Sequence, residues 1–186
     1  MKTFLKILIT ILVILYPVFV YAGLEYLSVE YLSLFIVLLL FLRLFLLRDT
    51  LDYKWIAITV AGIILAVIAM FSSDPITIKL YPVLISLTLF GVFSFSLFKS
   101  QSIITKLAMK MSKEPLPSYA ITYTWYVTLV WAVFFVINAT ISLSTVFAAD
   151  VDIWALYNGF ISYVLIGGLM SVELLVRFLV KRHYES

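Results

Sequence analysis

The stretch DIWALYNGFISYVLIGGLMSVELLVRFLVKR, Asp152 to Arg182, decides how this chain is read. Residues 153–180 within it are apolar for long enough to cross a bilayer as one helix, for which about 20 residues suffice. Three features interrupt the run: Asn158-Gly159 near one end, Gly167-Gly168 in the middle, and Glu173 four residues before Arg177. On a helix, Asn158, Ser162, Leu165, Leu169 and Glu173 fall in one narrow sector. That sector should face other helices, because an amide or a carboxylate against lipid is costly. Gly167 and Ser171 lie on roughly the opposite side as a small-x-x-x-small pair that lets a neighbouring helix approach closely. Asn158 and Glu173 are about 22 Å apart along the axis, too far to serve one small substrate together.

Working outward, the whole chain has the same character. Its 186 residues are 65% hydrophobic and 12% charged, against roughly 45–50% and about 25% in a soluble domain. Backbone groups in lipid must be satisfied within helices or a closed barrel. The apolar runs are long and do not alternate, which selects helices. The expected fold is therefore an all-α integral membrane bundle of six spans, near residues 4–22, 26–47, 55–71, 78–98, 119–149 and 153–180, in one transmembrane domain. The first segment has the flanks of a signal peptide, with Val20-Tyr21-Ala22 at its end. Its length and its Tyr16 and Tyr21 favour a retained span. With no cysteine in the chain, disulfides, thiolate metal sites and cysteine nucleophiles are excluded.

Charge gives the threading. With six spans, every one of the 13 Lys and Arg residues except Lys79 falls on the same side as the two termini. That side is the cytoplasm by the positive-inside rule. The opposite side keeps Lys79 and the acids Glu25, Glu30, Asp74, Asp150 and Asp152; the acids could bind a cation but read as a solvated rim. The LYPV sequence at Leu15–Val18 recurs at Leu80–Val83, and both copies read as interface chemistry near the outer face.

Residues 99–118 form the one sizeable loop. Within it Ile103, Ile104, Leu107, Ala108 and Met111 repeat at helical spacing, and Lys106, Lys110 and Lys113 fall on another face. This predicts a short amphipathic helix on the inner leaflet, ended by Glu114-Pro115-Leu116-Pro117. Each lysine near an anionic surface contributes about 1 kcal/mol. Glu173 is expected to pair with Arg177 one turn on. The candidate binding residues are Glu173, Arg177, Asn158, Lys106, Lys110 and Lys113. No catalytic residue, metal ligand or cofactor site is proposed: the chain has no nucleophile elbow, phosphate-cradling glycine loop or His-Glu zinc motif.

Three pieces carry a resemblance: LYPVLISLTLFGVFSFSL (Leu80–Leu97), KEPLPSYAITYTWYVTLVWAVFFVINA (Lys113–Ala139) and WALYNGFISYVLIGGLMSVELLVR (Trp154–Arg177). Together they resemble an uncharacterised family of small multi-span bacterial inner-membrane proteins, often encoded beside fatty-acid- or polyketide-like synthase genes of the aryl-polyene type. The family carries a basic residue near Trp125, and none stands there in this chain. The resemblance implies an inner-membrane accessory protein that supports synthesis or transfer of an acyl- or polyene-type lipid. In that setting the basic loop would dock acidic acyl-carrier or synthase proteins. The alternatives are a small transporter or flippase for a lipid-linked molecule, and a membrane acyl or glycosyl transferase. Expected partners are membrane lipids, such soluble proteins and a further copy of the chain, but not nucleic acid.

Overall fold

A computed structural model describes residues 16–47, 53–72, 75–112, 115–147 and 150–185. Every regular element among them is helical. In chain order these are α1 (Tyr16–Tyr26), α2 (Val29–Leu47), α3 (Tyr53–Ser72), α4 (Pro75–Lys79), α5 (Tyr81–Leu97), α6 (Ile103–Met111), α7 (Ser118–Phe147) and α8 (Val151–Leu156). A π turn (Tyr157–Ile161) and α9 (Ser162–Glu185) complete the chain. Among the described residues, three stretches are long and apolar enough to cross a membrane: Ile76–Leu97, Ser118–Phe147 and Val151–Tyr184. Thr59–Phe71 is a shorter apolar helix. Large apolar side chains stand outward along the helices, among them Phe41, Phe71, Phe95 and Phe178. Water would not tolerate so much apolar surface, and a hydrocarbon phase does. Lys2, Lys6, Arg48, Asp49, Asp74, Lys113 and Glu114 lie outside the described residues.

The chain forms two compact units. Unit 1 comprises Met1–Ile85 with Thr140–Ile161, and unit 2 comprises Ser86–Ala139 with Ser162–Ser186.

In unit 1, α2 packs against α3, and the core gathers Val20, Leu32, Ile36, Leu40, Ala66, Ile78, Tyr81 and Trp154. Tyr81 is 3% exposed, a core residue of unit 1. Gly62 makes room for it. A Cβ there would collide with the Tyr81 ring and meet Leu40 Cδ1 at 3.1 Å. The Arg43 charge acts on the Tyr81 hydroxyl, which is buried in this core.

Immediately after Tyr81, Pro82 withholds a backbone donor, and the helix breaks at Leu80 between α4 and α5. The fully buried Trp154 supplies a donor at the break, its Nε1 reaching the Lys79 carbonyl oxygen at 3.1 Å. Lys79 itself is 5% exposed, packed into unit 1.

Asn158 accounts for the π turn. Its Nδ2 donates to the Trp154 carbonyl oxygen at 2.9 Å. Its own backbone N–H would bond that oxygen in a regular helix. A side chain that occupies the carbonyl one turn back competes with the helical ladder, and the backbone widens there to a π turn.

In unit 2 the short helix α6 is held by hydroxyls. Ser102 caps its first turn, accepting from Thr105 N at 3.3 Å. Thr105 Oγ1 meets Thr124 Oγ1 at 2.8 Å, and Thr128 Oγ1 donates to Ser102 Oγ at 2.8 Å. Ser102, Thr105, Thr124 and Thr128 are all buried. Among the residues expected to form its apolar face, Leu107 and Met111 are exposed, 53% and 72%. They stand beside exposed Lys106 and Lys110. The amphipathic helix exists, but hydroxyls fasten it to α7 and leave Leu107 and Met111 open, as an interfacial helix requires.

Candidate functional site

The site is built on the facing stripes of α7 and α9 in unit 2. On α9, Leu169, Val172, Glu173, Val176, Arg177, Val180 and Lys181 follow the i, i+3, i+4 rhythm of one helix face. The polar members, Glu173, Arg177 and Lys181, recur every four residues, so each lies about 6 Å beyond the last. On α7, Tyr119, Tyr123, Tyr126, Val127 and Val130 form the matching stripe. The rings of Tyr119 and Tyr184 stack, 4.4 Å apart and 4° from parallel, tying the start of α7 to the end of α9.

Two adjoining cavities open along these stripes. The first, about 240 Å³, is apolar except for Glu173 and the tyrosines; Val127, Val130, Trp131, Leu169, Val172 and Val176 line it. The second, about 480 Å³, is bounded by Met111, Ser112 and Pro115–Pro117 on one side and by Tyr119, Arg177, Val180 and Lys181 on the other. Tyr123 lines both. Its hydroxyl lies 3.1 Å from the Glu173 carbonyl oxygen and 3.3 Å from Glu173 Oε1, and shares its one proton between them. Glu173 therefore turns to Tyr123. Among the described residues it makes no ion pair with Arg177, contrary to expectation, and no carboxylate pairs with Arg177.

The other expected binding residues are dispersed. Asn158 belongs to unit 1. Its Oδ1 accepts from Ser142 Oγ at 2.6 Å, and its Nδ2 also donates to Thr145 Oγ1 at 3.1 Å. Its amide thus ties the π turn to the last turns of α7. Lys106 and Lys110 are exposed on α6 and do not line the cleft. Lys113 is outside the described residues. The polar stripe of the last helix keeps Asn158, Ser162, Leu169 and Glu173 on its buried or half-buried side, but Ile166 replaces Leu165, which is 44% exposed. The face of Gly167 and Gly168 is open, with nothing within 4 Å of a Cβ at either, and Ser171 Oγ donates to the Gly167 carbonyl oxygen. Among the described residues, no neighbouring helix packs on this small-residue pair.

Sequence reasoning missed Tyr123 as the partner of Glu173, and it missed the hydroxyl cluster. For Tyr123 the signal was available: tyrosines at 119, 123 and 126 share one face of the fifth segment. For the hydroxyls it was the Thr124–Thr128 spacing. Asn138, the other amide in an apolar run, donates to Ser86 Oγ at 3.0 Å in unit 2. Comparisons with protein-family models, with curated proteins and with solved structures give no match.

Proposed function

We propose that this chain is a six-span protein of a bacterial inner membrane that holds an anionic amphiphile in the α7–α9 cleft. Its role is that of an accessory to synthesis or transfer of an acyl- or polyene-type lipid. One observation carries the reading: Tyr123 is the common wall of an apolar groove and of a cavity edged by Arg177 and Lys181. An acyl chain suits the first and an acidic head the second, in one molecule. The threading agrees with this, since Arg177 and Lys181 belong to the basic, cytoplasmic side by charge count. There α6 would rest on the anionic leaflet through Leu107, Met111 and its lysines.

The test is lipid analysis of protein purified in mild detergent. An anionic amphiphile should accompany the wild-type chain and fall at least about tenfold in an Arg177→Gln/Lys181→Gln variant. Wild-type protein carrying no more anionic lipid than an unrelated multi-span control would end the proposal. Docking of soluble acidic partners is a separate expectation: Gln at Lys106, Lys110 and Lys113 should weaken their co-purification. The second reading, a flippase for a lipid-linked molecule, is favoured by Glu173 in a cavity wall. It predicts movement of labelled lipid across proteoliposomes, which a passive binder does not give.

A further inference from the structure

The order of groups along α9 says what kind of head the cleft takes. From the apolar groove outward the wall presents Val172, then the Glu173 carboxylate, then Arg177, then Lys181. Glu173 is an acceptor placed where the chain must end, and only one of its carboxylate oxygens is engaged by Tyr123. A carboxylate in an apolar groove disfavours an anion directly beside it and favours a hydrogen-bond donor. One turn further on, the sign reverses. Arg177 offers a planar fork of donors suited to phosphate, with Lys181 another turn beyond.

Resting on the amphiphile reading above, we infer that the cleft selects a single-chain phospholipid with a free hydroxyl between its acyl chain and its phosphate, that is, a lysophosphatidate-like molecule. A three-carbon glycerol bridge sets the hydroxyl and the phosphate within about one helical turn, the Glu173–Arg177 spacing. A fatty acid would bring its carboxylate against Glu173. An alkyl phosphate supplies the anion but leaves Glu173 without a donor. A diacyl phosphatidate has no free hydroxyl to offer Glu173 and brings a second chain to the same groove.

The experiment compares four probes on the purified full-length chain by native mass spectrometry: oleoyl lysophosphatidate, hexadecyl phosphate, dioleoyl phosphatidate and oleate. Lysophosphatidate should bind about tenfold more tightly than hexadecyl phosphate, the worth of one charge-assisted hydrogen bond. Glu173→Leu should erase that preference without lowering affinity for hexadecyl phosphate. Glu173→Gln, which keeps an acceptor, should retain part of it. Equal binding of lysophosphatidate and hexadecyl phosphate to the wild-type chain overturns this inference and leaves the anionic-amphiphile reading standing. So does tighter binding of phosphatidate or oleate. Failure of all four to bind overturns both.

Discussion

Two glycines separate what a residue type means from what its surroundings make of it. Gly62 and Gly168 both sit inside apolar helices. A methyl group at Gly62 would collide with the buried Tyr81 ring, whereas one at Gly168 meets nothing within 4 Å. Gly62→Ala should therefore cost about 1–3 kcal/mol by overpacking. Gly168→Ala should be neutral or gain up to about 1 kcal/mol through helix propensity. Thermal unfolding in detergent would register shifts of opposite sign; a loss at both positions would mean that the open α9 face is in fact covered. Asn158 makes a sharper case, because removing it leaves the buried Ser142 hydroxyl without its acceptor, while Thr145 keeps its bond to the Ser142 carbonyl oxygen. Asn158→Leu should lose about 1–3 kcal/mol, well beyond the cost of Asn158→Gln. The sequence marked Asn158 and Glu173 as unusual, which they are. It did not tell a fully bonded structural amide from a carboxylate lining a cavity, since that distinction depends on side chains from other helices.

Among the elements, α6 was legible as a helix, but its attachment to α7 was not. Apolar spacing places Ile103–Met111 correctly, but the contact with α7 runs through Ser102, Thr105, Thr124 and Thr128. Thr124 and Thr128 share one face of α7 by their spacing, but nothing in the sequence says that Ser102 and Thr105 meet that face. Thr105→Val should cost about 1–3 kcal/mol and speed amide hydrogen exchange in residues 103–111 more than in unit 1. Unchanged exchange in α6 would show that something else anchors it. The fourth segment gives the complementary lesson. Its extent was read nearly correctly, but the break at Leu80 and the Trp154 donor that serves it join residues 75 positions apart. The π turn is likewise a response of the backbone to one amide, written locally in Asn158 and visible only once its bond to Trp154 exists.

At the scale of the molecule, the testable matter is threading. The chain has no cysteine, so single introduced thiols report cleanly. Ser112→Cys, just after α6, should react with an impermeant maleimide only after the cells are opened. Asp150→Cys, at the start of α8, should react on intact spheroplasts. Labelling of both positions from the same side would overturn the six-crossing proposal. The first segment bears on the same question: Val20 is fully buried in the unit 1 core, so cleavage after Ala22 would remove a core residue. Intact-mass analysis should find the segment retained. Composition and charge by themselves established a helical protein with apolar exteriors, because bilayer thickness and backbone hydrogen bonding leave a long apolar chain few alternatives. Tertiary structure alone decided which polar groups meet: Tyr123 with Glu173, Asn158 with Ser142, and Tyr81 in the slot at Gly62. Periodicity assigns a residue to a face, and only the packing of a second helix against that face determines its partner.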